Sequence, residues 1–406
     1  METRELTMRR PAKILTMVGS RATLLRIAPL IAEMERQTEL RPVLVHTGPY
    51  YREAMSDQFF GELHVRQPDF DLGVDAGSRA TQIAEIIKRV EPVIEEVHPD
   101  LVLVFGDLDA TLAAALTAAK LGVPVAHVEA GLRSFDRAMP DELDRVLIDA
   151  ISTELFVTHQ SGVENLRREG RPEEHVHFVG NLMIDALLAS QPVWEERARL
   201  IRPRLGLEPG QPYAVLTLHM PLHVDNPLNL AWLLDGIQAL GGHLPVVFPV
   251  PPRLWPRVAG HDLVLAEENS PRGARDKRLI CIDPLDYLDF IALLSTARVV
   301  LTDSGGVQDE TTMLGVPCLT LREAAERPDT VVHGTNRVIG TNPGRIAPEV
   351  LRALNDPPPP VTPPPLWDGR SANRIAEALL GRENFGRQPG RLAGQTPERT
   401  LNTSGS

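Results

Sequence analysis

The sequence predicts an α/β protein of two domains, each built on a parallel sheet covered by helices on both faces. Short apolar runs rich in β-branched residues alternate with amphipathic windows of helical length from one end to the other. Runs that are apolar without interruption are strands buried on both faces, which is the mark of a parallel sheet. The second half repeats the plan of the first, so two sheets are expected rather than one. A chain of 406 residues has the length for two or three domains and enough apolar content for their cores.

In order, the first half offers KILTMVG, PVLVH, LVLVF, VPVAHV, ELFVT and VHFVG as strands, separated by helical stretches such as LLRIAPLIAEMER and TLAAALTAAKLG. The second half offers YAVLTLH, LPVVFPV, RLICI, ARVVLTD, VPCLTL and RVIG. The join falls in the helix MIDALLASQPVWEERARL around 183–200, which gives domains over 1–185 and 186–370. PPPPVTPPPLWDG at 357–369 is stiff and reads as a surface connection. SANRIAEALLG makes a last amphipathic helix over 371–381, and residues 382–406 have too few apolar side chains to fold, so a disordered tail is expected.

Composition narrows the partners. A formal net charge of -12 argues against a nucleic-acid backbone or an anionic membrane surface, so any phosphate site must be local. Cys281 and Cys318 both lie in apolar strand-like runs, which suits core positions in a reducing compartment and gives neither a disulfide framework nor a thiolate metal site. No apolar stretch approaches the ~20 residues of a membrane span, and METRELTMRRPAK has no apolar core of a signal peptide. A cytoplasmic protein is expected.

In an open parallel sheet, ligands bind beyond the carboxyl ends of the strands, where helix N-termini offer free N–H groups. Four such places stand out. Arg21 follows the first strand and can meet phosphate oxygens in bidentate fashion, although a solvated arginine at a helix start has the same sequence. Asp107 and Asp109 follow LVLVF; a helix N-cap accounts for one aspartate but not for the pair. EAGLRSFDRAMPDELDR, 129–145, packs five acidic residues and three arginines after an apolar strand. The helix dipole partly explains Asp141 and Glu142, but not Glu129 at a nearly buried strand end. Finally, LTDSGGVQDE runs from a strand through Asp303, Ser304, Gly305 and Gly306 into a helix. A diphosphate can approach that N-terminus closely, and Glu310 one turn in can accept hydrogen bonds from ribose hydroxyls.

Together these segments resemble the UDP-N-acetylglucosamine 2-epimerase family over roughly residues 13–381. The resemblance is carried by HVEAGLRS, MPDELDRVLIDAIS, VENLRREG, VGNLMID, DPLDYLDF, LTDSGGVQDE, LGVPCLTLREAAERPDTVVHGTNRVIGT and LWDGRSANRI. It implies two Rossmann-like domains facing a cleft, the glycosyltransferase B arrangement, with the last helix crossing back to the first domain. The implied reaction interconverts UDP-GlcNAc and UDP-ManNAc, and a second branch of the family adds water and releases ManNAc with UDP. The C2 proton has no neighbouring carbonyl to acidify it, so elimination of UDP to a glycal and re-addition is implied, with no nicotinamide and no metal. Asp107, Glu129, Asp141 and His219 match the catalytic group; Arg21, Ser304, Gly305, Gly306 and Glu310 match the UDP-binding residues. Arg133 and Arg145 are expected to hold the acidic loop in shape. A homodimer and a place in cell-surface polysaccharide precursor synthesis are implied as well.

The chain departs from the family pattern at the sugar end. Ala22 and Thr23 follow Arg21 where Pro-Glu is usual, Pro49 and Tyr50 replace Gln-His, and Asp141 replaces a glutamate. His219 is followed by Met220, Pro221, Leu222 and His223 instead of Arg-x-Glu-Asn, and Pro251 replaces a histidine. Many non-hydrolysing members bind a second UDP-GlcNAc through several of these groups, and that second site is expected to be absent here. Three alternatives therefore stand beside the epimerase: the hydrolysing branch, a UDP-sugar-binding module without turnover, and a glycosyltransferase on the same fold.

Overall fold

The structure is a computed structural model that describes residues 10–19, 21–48, 66–74, 77–137, 139–208, 210–240, 244–258, 279–356 and 362–382. It contains two parallel sheets. The first comprises β1 (Ala12–Val18), β2 (Leu40–His46), β3 (Phe70–Asp71), β4 (Leu101–Phe105), β5 (Val125–Ala130), β6 (Glu154–Val157) and β7 (Val176–Phe178), in the order β3-β2-β1-β4-β5-β6-β7. The second comprises β8 (Ala214–Thr217), β9 (Val246–Pro249), β10 (Leu279–Ile282), β11 (Val299–Thr302), β12 (Cys318–Thr320) and β13 (Asn336–Val338), in the order β10-β9-β8-β11-β12-β13. Each sheet reverses its winding beside its first strand, between β1 and β4 and between β8 and β11. That reversal opens a crevice at the carboxyl ends.

All twelve apolar runs read as strands form strands. The two-residue edge strand β3 is additional, being too short to leave an apolar run. Each sheet has a core on both faces. The helices Arg21–Arg36 and Ser371–Leu380 cover one face of the first sheet and Arg79–Val97 with Asp109–Lys120 the other. In the second, Pro227–Gln238 and Ile346–Asn355 lie opposite Gln191–Arg204 and Tyr287–Ser295. The stretch read as one helix around 183–200 is two, Leu182–Ala189 and Gln191–Arg204, parted at Ser190. The first of them joins the halves: Leu182 packs in the first core, Ile184 and Leu187 in the second.

The last helix buries Ala372, Ile375, Ala376 and Leu379, a 3.6-residue stripe, against the first sheet's core. Asp185 accepts a hydrogen bond from the Ala372 N–H at 2.8 Å and so satisfies its first turn. The approach to that helix is less superficial than its prolines suggest. Pro364 and Trp367 are buried, and the Trp367 indole donates to the Thr158 carbonyl at 3.2 Å. Residues 357–361, and the tail from 383 on, lie outside the described residues. Among the described residues no helix is long and apolar enough to cross a membrane.

Candidate active site

Residues that follow strands of the first sheet touch residues that follow strands of the second, so the two crevices form one site. Glu129 lies in β5 at a left-handed φ of 71°, where the register against β6 slips between Val128 and Ala130. A left-handed non-glycine residue at a bulge is held there by its surroundings, and bulges re-aim side chains. The Glu129 carboxylate is buried and meets the Arg26 guanidinium at 3.3 Å. Arg26 comes from the helix Arg21–Arg36, and its Nε is buried without a hydrogen-bond partner.

Asp107 stands in the turn after β4. Its carboxylate takes Nε of Arg145 at 2.8 Å and Nη2 at 2.6 Å. Burial would raise its pKa, but Arg145, with Arg26 and Arg327 beyond, outweighs that and holds the carboxyl below its ordinary value. Asp141, in the first turn of the helix Pro140–Ile151, is pushed the other way by desolvation and by the charge of Asp107. Arg79 binds Asp141 at 3.2 Å, Asp144 at 3.1 Å and Asp109 at 3.0 Å. Burial, with Asp109 and Asp141 close by, pushes Asp144 up to about 7. Glu142 points back into its own loop, accepting from the Ser134 N–H at 2.8 Å and the Phe135 N–H at 3.0 Å.

From the second half comes the helix Gly305–Leu314, with Ser304 at its N-cap making no side-chain capping bond. Its glycines are matched by cations. A Cβ on Gly305 would lie 2.6 Å from Arg327 Nε, and one on Gly306 2.9 Å from Met183 Cε and 3.4 Å from Arg26 Nη2. Two guanidinium groups, one from each half, thus flank a helix N-terminus, an arrangement built for an anion. Arg327 also pairs with the fully buried Asp309, which accepts from Asn181 at 2.9 Å and faces His159 at 3.3 Å. Glu310 is buried one turn in. Desolvation pushes its carboxyl up to about 8 against the pull of Arg26.

His219 follows β8 and is exposed. Its backbone N–H and that of Met220 donate to Asp303 at 2.9 Å each, while His223 Nδ1 lies 2.8 Å from the same carboxylate. Asp303 is therefore the anchor of the His219 turn rather than a ligand group. Partial desolvation lowers the imidazole pKa; Arg253 adds to this and Asp303 opposes it.

Most of the predicted residues thus fall into one cluster, with His219 apart from it. Asp107, Glu129, Asp141, Gly305, Gly306 and Glu310 share neighbours among Arg26, Arg145 and Arg327, whereas the described partners of His219 all belong to the second half. Arg21 begins its helix, but its side chain lies outside the described residues, as do Pro49 and Tyr50. Two expectations need correction. Neither Asp107 nor Asp109 is an N-cap: Leu108 holds that place without a side-chain bond, and the two carboxylates bind Arg145 and Arg79. Arg145 does more than shape the acidic loop, for it reaches both Asp107 and, at 3.4 Å, Glu326 of the second half. Arg133 goes to Asp149 and Glu169, each at 2.7 Å. Arg26, Arg79 and Glu326 carry much of the electrostatics and were not singled out by sequence. One hint existed: Arg26 is a lone charge in the apolar face of TLLRIAPLI.

Two doubly wound domains of the glycosyltransferase B type, meeting at a cationic helix N-terminus ringed by carboxylates, define a class of nucleotide-sugar proteins. The family model described as UDP-N-acetylglucosamine 2-epimerase matches residues 32–380, and the chain belongs to that family. It is 34% identical to the UDP-N-acetylglucosamine 2-epimerase of Methanococcus maripaludis, over 91% of this chain and 98% of the relative. It is also 34% identical to the UDP-2,3-diacetamido-2,3-dideoxy-D-glucuronate 2-epimerase of Pseudomonas aeruginosa, over 81% of this chain and 88% of that one. The crystal structure of the Methanocaldococcus jannaschii UDP-GlcNAc 2-epimerase in complex with UDP-GlcNAc and UDP superposes with a TM-score of 0.81 at 33% identity, covering 91% of this chain and 99% of the other.

Proposed function

We propose that this enzyme interconverts UDP-GlcNAc and UDP-ManNAc by eliminating UDP across C1 and C2 and adding it back to the glycal. The C2 proton leaves to a protein base as the C1–O bond to UDP breaks, and a proton returns to the opposite face of C2 as UDP re-adds. The sequence is redox-neutral and calls for no nicotinamide. One observation carries the reading: Arg26 both pairs with Glu129 and flanks Gly306 at the helix N-terminus. A leaving diphosphate and proton-accepting carboxylates are thereby adjacent. Asp107, Glu129, Asp141 and His219 serve as the acid–base group, and an imidazole of lowered pKa is neutral near pH 7 and free to take a proton. Arg21, Ser304, Gly305 and Gly306 receive the diphosphate, assisted by Arg26 and Arg327. Glu310 accepts from the ribose.

Asp107→Asn tests the assignment. General acid–base groups contribute about 10² to 10⁴ in rate, so turnover to UDP-ManNAc should fall by that factor while UDP binds within a few-fold of the parent. Full turnover by this variant, or formation of free ManNAc by the parent, contradicts it. Because one relative is named for a diacetamido glucuronate, that UDP-sugar belongs in the same assay.

The same reading divides the chain after Asp185, with 186–370 holding the nucleotide and 371–381 returning to the first domain. It places the protein in the cytoplasm, supported by the buried free Cys281 and Cys318. It makes the protein a homodimer, supported by the exposed Leu143 and Leu147 four residues apart on one helix. Light scattering and cell fractionation check these assignments.

A further inference from the structure

Arg145 is a side chain of the acidic loop whose ion pairs reach both halves. Its Nε and Nη2 bind Asp107, and its Nη1 lies 3.4 Å from Glu142 and 3.4 Å from Glu326, which follows β12 in the second half. Glu326 is in turn held by Arg322 at 2.5 Å. Arg145 and Glu326 are both buried, so each has little water to share its charge with. The Glu326 contact exists only while the halves are as close as they are here, and halves joined by such polar contacts move relative to one another by default.

We propose that Arg145 is a positioning residue that couples the approach of the two halves to the carboxylate Asp107, with Glu326 as its partner across the cleft. The inference rests on the reading of Asp107 as an acid–base group. When the halves stand apart, the whole guanidinium charge serves Asp107, which is then a weak base. When they close, Glu326 takes one edge of the same cation, and Asp107 gains proton affinity at the moment the substrate is enclosed. The other charges facing these groups are Arg26, Arg327 and Asp141 around Asp107, Glu142 beside Arg145, and Arg322 and Arg327 beside Glu326. Arg327 faces both Asp107 and Glu326 as well, but among the described residues Arg145 alone makes an ion pair to each.

Coulomb's law gives the two partners opposite signatures. In Arg145→Met, burial acts on Asp107 without its cation, and the acid limb of the kcat–pH profile should rise by about 1 to 3 units. In Glu326→Gln, Arg145 is no longer shared; the limb should fall by roughly half a unit to one unit, with a lower kcat and a KM changed less than kcat. Arg145→Lys, which keeps the charge, should return the limb toward that of the parent while kcat stays reduced. It also serves if Arg145→Met does not fold. A structural role alone would lower activity without opposed shifts. The second readout needs no turnover: ¹³C NMR titration of the Asp107 carboxyl in the UDP-bound full chain, assigned by its loss in Asp107→Asn. Opposed displacements in the two variants support the proposal; displacements of the same sign, or none, overturn it. If no UDP-sugar is turned over, the catalytic reading fails and the titration still decides whether Glu326 acts on Asp107 through Arg145.

Discussion

Glu310 and Asp107 lie in one site, yet their surroundings push their proton affinities apart. Burial drives Glu310 up to about 8 with Arg26 only partly opposing it, whereas Arg145 holds Asp107 low. Between the ordinary carboxylate range and pH 8 the folded protein therefore keeps a proton on Glu310 that the unfolded chain has released. That contribution to stability is complete below the unfolded pKa and is lost as pH rises through about 8. On the proposed reading Glu310 accepts from ribose hydroxyls, and because the ionised carboxylate is the stronger acceptor, nucleotide binding near pH 7 favours loss of that proton. Calorimetry of UDP binding in buffers of different ionisation enthalpy should report about one proton released at pH 7, and none for Glu310→Gln. Equal proton release in both proteins would show that the released proton does not come from Glu310.

At the scale of elements, the turn after β5 depends on Gly131 as well as on the bulge at Glu129. Gly131 has φ 80°, and a Cβ there would stand 2.5 Å from the Gly162 carbonyl oxygen. Gly131→Ala therefore meets both a disfavoured φ and backbone that cannot swing aside. Both Gly131→Ala and Gly170→Ala carry the cost of a left-handed φ, about 1–2 kcal/mol, but a Cβ on Gly170 meets nothing, so urea unfolding should show a clearly larger stability loss in Gly131→Ala. The strands were legible because parallel strands are continuous apolar runs, and the carboxylates because a charge just after such a run lacks a packing reason. Arg26 and Arg79 were not, because little in the local sequence sets either apart from the other charges of its helix, and only the tertiary approach of another element gives it a role. The break at Ser190 was missed because both flanking stretches have helical pattern and no glycine parts them. Asp303 was read with its neighbours as part of a phosphate loop; its bonds to the His219 turn depend on the β8–β11 pairing, which local sequence does not contain.

At the scale of the molecule, the two halves are tied by buried polar groups as well as by chain crossings. Asp309 meets His159 and Asn181 of the first half, and Glu326 meets Arg145. Among the described residues, Arg26 and Arg327 flank one helix N-terminus between them. At the places where the family pattern has further polar groups, Met220 gives only its backbone N–H to Asp303 and Pro251 caps a short helical turn. A diphosphate without cationic partners is strongly disfavoured. Calorimetry should thus find one UDP-GlcNAc per chain, with hyperbolic kinetics and turnover of UDP-ManNAc in the absence of UDP-GlcNAc. Two bound per chain, or an absolute need for UDP-GlcNAc in the reverse direction, would refute a single site.

The central claim, elimination and re-addition through a glycal, is tested most directly by running the reaction in heavy water and reading the C2 position of the product by NMR. Loss and return of the C2 proton predict UDP-ManNAc carrying deuterium at C2, and deuterium entering the remaining UDP-GlcNAc as the reaction reaches equilibrium. UDP-ManNAc that retains the original proton at C2 would contradict the account.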